Sequence, residues 1–334
     1  MSLTTIGDSA RYFALAQQSA QIKSQLNVLS AEMGTGQVQD KVKVLNGDTF
    51  LFSAISHSLE VVTAQTTRNT ETANRLANMQ RALSTLNNQR VMLSETLTKI
   101  TPETMQMQIA LAADQAVQGF SALVNGLNTQ VAGRSLFAGH AFDQPALAPA
   151  NDLLADIVTA IGGATDVASI QTAIDTWFDD PAGGFATVGY LGDAGAAPSE
   201  RLDARTTITI DARADNAELR NVLKGAATAA VVAQLSGISV QTQTTLLFEG
   251  GVMLQSAATD IIAVQSRLGY LEAEVERATA AQATEIEALT IAYNNIALAD
   301  PFETASALQA VQVQLETHYQ ITARMSQLSL VNYL

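Results

Sequence analysis

The chain has 334 residues, 47% of them hydrophobic and only 15% charged, with a net charge of −14 and no cysteine. The charged fraction lies below the roughly 25% of an ordinary soluble chain, so a long helical protein of this make-up is not expected to keep all its faces in water. The acidic balance, with a pI of about 4.5, repels phosphate backbones and anionic membranes, which argues against nucleic acid or membrane as partners. The missing cysteines exclude disulfides, thiolate metal sites and cysteine nucleophiles.

Before Arg11 there is no lysine or arginine and no apolar run that would form a signal-peptide core, so Sec-type export is not expected. The near-apolar run 226–233 is too short and too alanine-rich to cross a bilayer. Leu15, Ile22, Leu26 and Leu29, with Tyr12 before them and Met33 after, fall on alternating steps of three and four once Ser19 is admitted, which predicts one apolar face of a first helix. Gly34-Thr35-Gly36 lacks the later Gly-Lys-Ser of a phosphate loop and reads as the turn that ends this helix.

Over 50–100 the same alternation continues through Leu76, Met79, Leu83, Leu86, Leu93, Leu97 and Ile100, with Arg90 standing where an apolar residue is expected. A break follows at Thr101-Pro102-Glu103, where threonine can cap and proline can take the first helical position. The next helix runs to about 131 and carries Met105, Ile109, Ala112, Ala116, Phe120, Leu123 and Leu127 on one face.

Prolines and glycines crowd between 139 and 200, so the centre reads as irregular. One or two short helices are expected over 152–178, and strands over 185–191 and 206–211, the second on the period-two alternation of Thr207-Ile208-Thr209-Ile210. The second flank repeats the plan of the first. Val264, Leu268, Leu271 and Val275, then Ile286, Leu289, Tyr293 and Ile296, share a helical face through weaker positions at Ala278 and Gln282. It breaks at Asp300-Pro301-Phe302-Glu303, a second cap with a first-turn proline. In the last helix Leu308, Val311, Leu315 and Tyr319 recur three or four apart, and Ile321, Met325 and Leu328 continue the stripe.

The expected fold is therefore mainly α: an elongated antiparallel helical bundle or coiled coil from both flanks, with a small α+β insert. The expected segments are an N-terminal assembly helix and turn (1–49), the first half of a helical rod (50–139), the insert (140–215), the second half of the rod (216–299) and a C-terminal assembly helix (300–334). The stripes could simply close a monomeric bundle, which is the preferred reading for 76–100. For the two ends an intermolecular role is preferred, since apolar side chains at a chain end need something to bury them.

Chemistry-bearing patterns are sparse. His57, His140 and His318 sit in different segments without a carboxylate or second histidine at metal-ligand spacing, and His57 and His318 read as helix-surface or interface residues. Asp179 with Asp180, and Asp193 with Glu200, lack the spaced oxygens of a calcium loop and read as solvated turns. Glu272, Glu274 and Glu276 around Arg277 read as the wet face of a helix. No serine sits in a nucleophile elbow. No catalytic residue, metal or cofactor is expected, and the chain is read as a non-enzyme.

Residues 319–334, with Ile321-Thr322-Ala323-Arg324-Met325-Ser326-Gln327-Leu328-Ser329-Leu330 followed by Asn332-Tyr333-Leu334, closely resemble the carboxyl end of the flagellar hook-associated protein type 3 family, junction proteins related to flagellin. Gly133-Arg134-Ser135-Leu136-Phe137-Ala138-Gly139 is similar to the family motif where the first flank meets the insert. Tyr190-Leu191-Gly192-Asp193 resembles a motif of its central domain, and 299–305 resembles the approach to its last helix. One departure is Val44-Leu45-Asn46-Gly47-Asp48, where members commonly carry an Asp-Asp-Pro-like element.

The resemblance implies an extracellular flagellar subunit, exported through the type III apparatus without a cleaved signal peptide and with a dedicated chaperone. It implies assembly between hook and filament, in a ring with other copies, against the adjoining hook-side junction protein and flagellin. On that reading the assembly interface comprises Leu15, Ile22, Leu26, Leu29, Leu308, Val311, Leu315, Tyr319, Met325, Leu328, Leu330 and Tyr333. The alternatives are flagellin itself and, more remotely, a cytoplasmic coiled-coil scaffold or an enzyme on a helical frame.

Overall fold

Apolar residues repeating every three or four positions dominate the chain, and in the computed structural model, which describes residues 3–45 and 49–327, they lie on the inner faces of long helices. In chain order these are α1 (Leu3–Thr35), the short α2 (Lys41–Val44), α3 (Phe50–Leu97), α4 (Gln106–Leu127), α5 (Ala150–Ile161), α6 (Val167–Asp179), α7 (Ala217–Ala230), α8 (Val240–Ser256), α9 (Ala258–Ala297) and α10 (Pro301–Gln327). Two short antiparallel ribbons accompany them: β1 (Gln130–Val131) with β2 (Arg134–Ser135), and β3 (Ser199–Arg201) with β4 (Thr207–Thr209). The protein is mainly α, with antiparallel packed helices and few strands. It divides into two compact units, one of residues up to Thr63 and from Ala283 onward, the other Ala64–Gln282.

The second unit holds the larger core. All the expected apolar positions from Leu76 to Ile100 are buried, as are Ile109, Ala112, Ala116, Phe120, Leu123 and Leu127 of α4. α7, rich in buried alanine, packs on α8 and α4. By length and composition 240–297 is apolar enough to cross a membrane, yet Leu246, Leu247, Leu254, Ile261 and Val264 are fully buried within this unit.

Arg90 explains its own place in an apolar stripe. It is 6% exposed, and its Nη1 donates at 2.7 Å to the carbonyl of Leu254, in the last turn of α8, while Nε donates to Asn87 Oδ1. Helix-end carbonyls have no partner inside their own helix, and a cation there also meets the negative end of the helix dipole. Ser94 Oγ donates to Gly251 O in the preceding turn. Gln282 likewise occupies a stripe position for a reason: its Nε2 and the Nδ2 of Asn69 both donate to Leu202 O, and its Oε1 accepts from Asn69 and Thr66. This buried network pins the loop after β3 to α3 and α9.

Three expectations about elements are corrected. Thr101 does not cap α4, which begins at Gln106 behind Met105 with no side-chain cap; instead Thr104 Oγ1 accepts from the Thr101 N–H and closes a separate turn. Met105 is consequently exposed, outside the α4 face. Residues 185–189 form a π-helical turn and not a strand, because Phe185 stacks with Phe178 and meets the edge of Trp177, and Gly184 lies so close to Trp177 that a methyl group there would sit 1.8 Å from Nε1. Only Tyr190 keeps a ladder contact, a single bridge to Leu147. By contrast, 207–209 pairs as a strand, and Asp300 caps α10 by accepting from the N–H groups of Phe302 and Glu303.

In the first unit, the end of α1 and the α9–α10 turn are tied by a bridge between Gln37 and Leu298, with Val38 N donating to Ala297 O and Ala299 N to Gly36 O. Lys41 of α2 places its ammonium 4.8 Å from the ring centroid of Phe52 and 6.0 Å from that of Tyr293, two rings that themselves lie 5.2 Å apart. Cation–π attraction of this kind is worth about 0.5–1 kcal/mol at accessible sites.

Candidate assembly surface of the terminal helices

The bridge at Gln37 and Leu298 sets where α1 stops and α10 starts, so the two helices run antiparallel along each other from that point. Along α1 the inward positions are Leu15, Ser19, Ile22, Leu26 and Leu29, at steps of four and three. Along α10 they are Thr304, Leu308, Val311, Leu315, His318 and Thr322, again at alternating four and three. This 3.5-residue spacing is that of a coiled-coil seam. Ile22 and Val311 are fully buried at its middle, and Leu15, Leu26, Leu29, Leu308 and Leu315 are half-buried.

The structure thus brings together seven of the residues singled out from the sequence and separates two. Tyr319 and Met325 are 49% and 39% exposed. At 100° per residue they flank the seam on opposite sides, and His318 takes the inward position that the sequence assigned to Tyr319. The Tyr319 ring is instead covered by the Lys23 ammonium, 5.7 Å from its centroid. Leu328, Leu330 and Tyr333 lie outside the described residues.

Exposed apolar positions on the outer sides of both helices were missed by the sequence reading. Phe13 and Val28 on α1 and Phe302 and Val313 on α10 are exposed, Phe302 to 83% and Phe13 to 73%, and by helix geometry they point away from the seam. Tyr12 and Ile321 are also exposed. The signal was present as large apolar residues at positions off the main stripe. Exposed apolar side chains can mark protein contact sites, and few charges accompany them: Arg11, Lys23 and Glu32 on the described side chains of α1, and Glu303, Glu316 and Arg324 on α10.

The two short motifs singled out near the insert meet in the second unit. Asp193 N donates to Ala138 O, Ala214 N donates to Phe137 O, and a methyl group on Gly139 would come within 2.7 Å of Asp193 O, so 137–139 and 190–193 are packed backbone to backbone. Arg213 locks this junction, donating to Asp193 O and Gly195 O and ion-pairing with Asp215 at 3.2 Å. Burial raises the Asp215 carboxyl above its ordinary range, opposed by Arg213, and burial also raises Tyr190. These contacts hold the two segments together. Among the described residues no group of three or more His, Asp or Glu side chains could hold a metal ion.

Residues 252–334, covering the end of α8, all of α9 and the last helix, match the family model of the bacterial flagellin C-terminal helical region. No curated protein matches the chain. The matched stretch contains the α10 half of the seam and the outer face of α10.

Proposed function

We propose that this chain is a structural subunit of the bacterial flagellum that assembles between the hook and the flagellin filament, with its terminal helices packed against those of neighbouring subunits. The observation that carries this reading is the doubly apolar character of the α1–α10 pair. Each helix has one face that closes the pair and an outer face open to solvent, with Phe13 on that of α1 and Phe302 and Val313 on that of α10. The similarity of 252–334, which includes α10, to the bacterial flagellin C-terminal helical region supports this reading.

Burying the open face supplies the favourable term, at roughly 25 cal/mol per Å² of apolar surface, set against the ordering of the terminal segments. The chain is exported through the flagellar type III apparatus and acts outside the cell. Its partners are further copies in a ring, the adjoining hook-side junction protein, flagellin and an export chaperone. We read it as a structural protein and not an enzyme, a reading supported by the similarity of 252–334 to flagellin.

The junction role is favoured over flagellin by the Ser326-Gln327-Leu328-Ser329-Leu330 ending and by the packed Leu136-Phe137-Ala138-Gly139 motif. Electron microscopy of a deletion strain, with a blot for flagellin in the medium, tests it. Bare hooks with flagellin shed into the medium are expected. Normal filaments would reject the reading, and bare hooks with no shed filament protein would identify the chain as flagellin.

A further inference from the structure

We propose that Arg90 is a latch that holds open a gap in one long helix, and that α8 and α9 join across Ala257 when it is withdrawn. Ala257 stands between the two helices with φ −68° and ψ 0°, about 40° in ψ from the ordinary helical value. Helical bonds reach it from both sides, with Ala257 N donating to Met253 O at 3.0 Å and Ile261 N donating to Ala257 O at 3.2 Å. The carbonyl next to Met253, that of Leu254, takes its hydrogen bond from Arg90 of α3.

The local sequence gives no reason for the gap. Helices break or kink at proline, at glycine, or where a side chain enters the ladder of backbone bonds. Residues 252–268 contain neither proline nor glycine, and alanine, the best helix former, stands at both 257 and 258. Local hydroxyls do not account for it either. Ser256 Oγ donates to Val252 O four residues back, and Thr259 Oγ1 to Ser256 O three residues back. Thr63, Thr70 and Thr85 make bonds of the first kind along α3, and Thr244 makes one of the second kind in α8, without interrupting either helix. Ser94 shows that even a donor from α3 can share an α8 carbonyl, since its hydroxyl bonds Gly251 O inside the unbroken part of α8.

The Arg90 guanidinium differs from these hydroxyls in bulk and charge. It is buried, tied through Nε to Asn87 Oδ1, and so held in place against the Leu254 carbonyl. In an unbroken helix that carbonyl would accept from the N–H of Ala258, and the charge-assisted bond from Arg90 competes with this neutral one. Withdrawing the guanidinium returns the carbonyl to Ala258, and 240–297 becomes one continuous helix. The inference concerns the single chain and does not rest on the flagellar reading.

Hydrogen exchange of the full chain, read at single-residue resolution, tests it with Arg90→Met, which removes the donor and keeps most of the side-chain volume. The Ala258 amide is expected to exchange roughly tenfold more slowly in the variant than in wild type, while amides of α4 and α7 keep their rates. Arg90→Lys, which still presents a charged donor, should keep the wild-type rate at Ala258. An Ala258 rate that is unchanged or faster in Arg90→Met, or slowed equally in Arg90→Lys, overturns the proposal. So does a general loss of protection in α8 and α9 of Arg90→Met, which would make Arg90 a cap and nothing more.

Discussion

The Arg90 guanidinium caps α8 from across the helix packing, donating at 2.7 Å to the carbonyl of Leu254. A charged residue in an apolar stripe is thus the stop for a neighbouring helix. Arg90→Ala leaves the Leu254 carbonyl without this donor and removes a buried side chain. It should destabilise the protein by about 2–4 kcal/mol, and Arg90→Lys should recover part of this. Urea unfolding followed by far-UV circular dichroism measures both.

The Asn69–Gln282–Leu202 network predicts a local effect. Gln282→Leu removes a donor to Leu202 O and the acceptor used by Asn69 and Thr66. An unpaired buried polar group costs about 1–3 kcal/mol. Faster hydrogen exchange confined to the β3–β4 ribbon and its flanks is the expected result.

The β1–β2 turn carries removable strain. Ala132 and Gly133 both have positive φ, 51° and 75°, in a two-residue turn between paired Val131 and Arg134. Such turns favour asparagine followed by glycine, and a left-handed alanine costs about 1–2 kcal/mol. Ala132→Asn should raise stability by about 0.5–1 kcal/mol, seen as a higher midpoint of thermal unfolding.

Lys224 gives a pH dependence at the alkaline end. Burial lowers its pKa, but hydrogen bonds from its ammonium to Asp179 and Asp175 outweigh that and raise it above the ordinary lysine value. A raised folded-state pKa means the clamp between α6 and α7 contributes fully below the ordinary lysine range, and is lost as pH climbs through the folded value. Wild type should exceed Lys224→Met in stability by about 1 kcal/mol at neutral pH, and the difference should shrink only above about pH 10. Paired denaturant titrations across that range check it.

The helices were legible because burial repeats every three or four residues, as the buried run from Leu76 to Leu97 and on through Ile109 to Leu127 illustrates. Asp300 was legible as a cap because its chemistry is local. What escaped depended on partners distant in sequence. Residues 185–189 have the composition of a strand, yet Trp177 holds them in a π-helical turn. At the candidate surface, both His318 and Tyr319 continue the α10 stripe by spacing; a seam repeating every 3.5 residues selects the first, and a helix read at 3.6 admits the second. The outer apolar face went unread because Phe13, Phe302 and Val313 do not fall on the main periodic stripe of either helix.

Complementation of the deletion strain with Val313→Asp tests the outer face most directly, since Val313 is 57% exposed and its replacement leaves the α1–α10 seam untouched. The measurement is a blot for this chain in sheared appendages against culture medium. The account predicts that the variant is exported, appears in the medium and is missing from the appendages, with hooks left bare. Val313→Asp recovered in the appendages at wild-type level, under normal filaments, would contradict it.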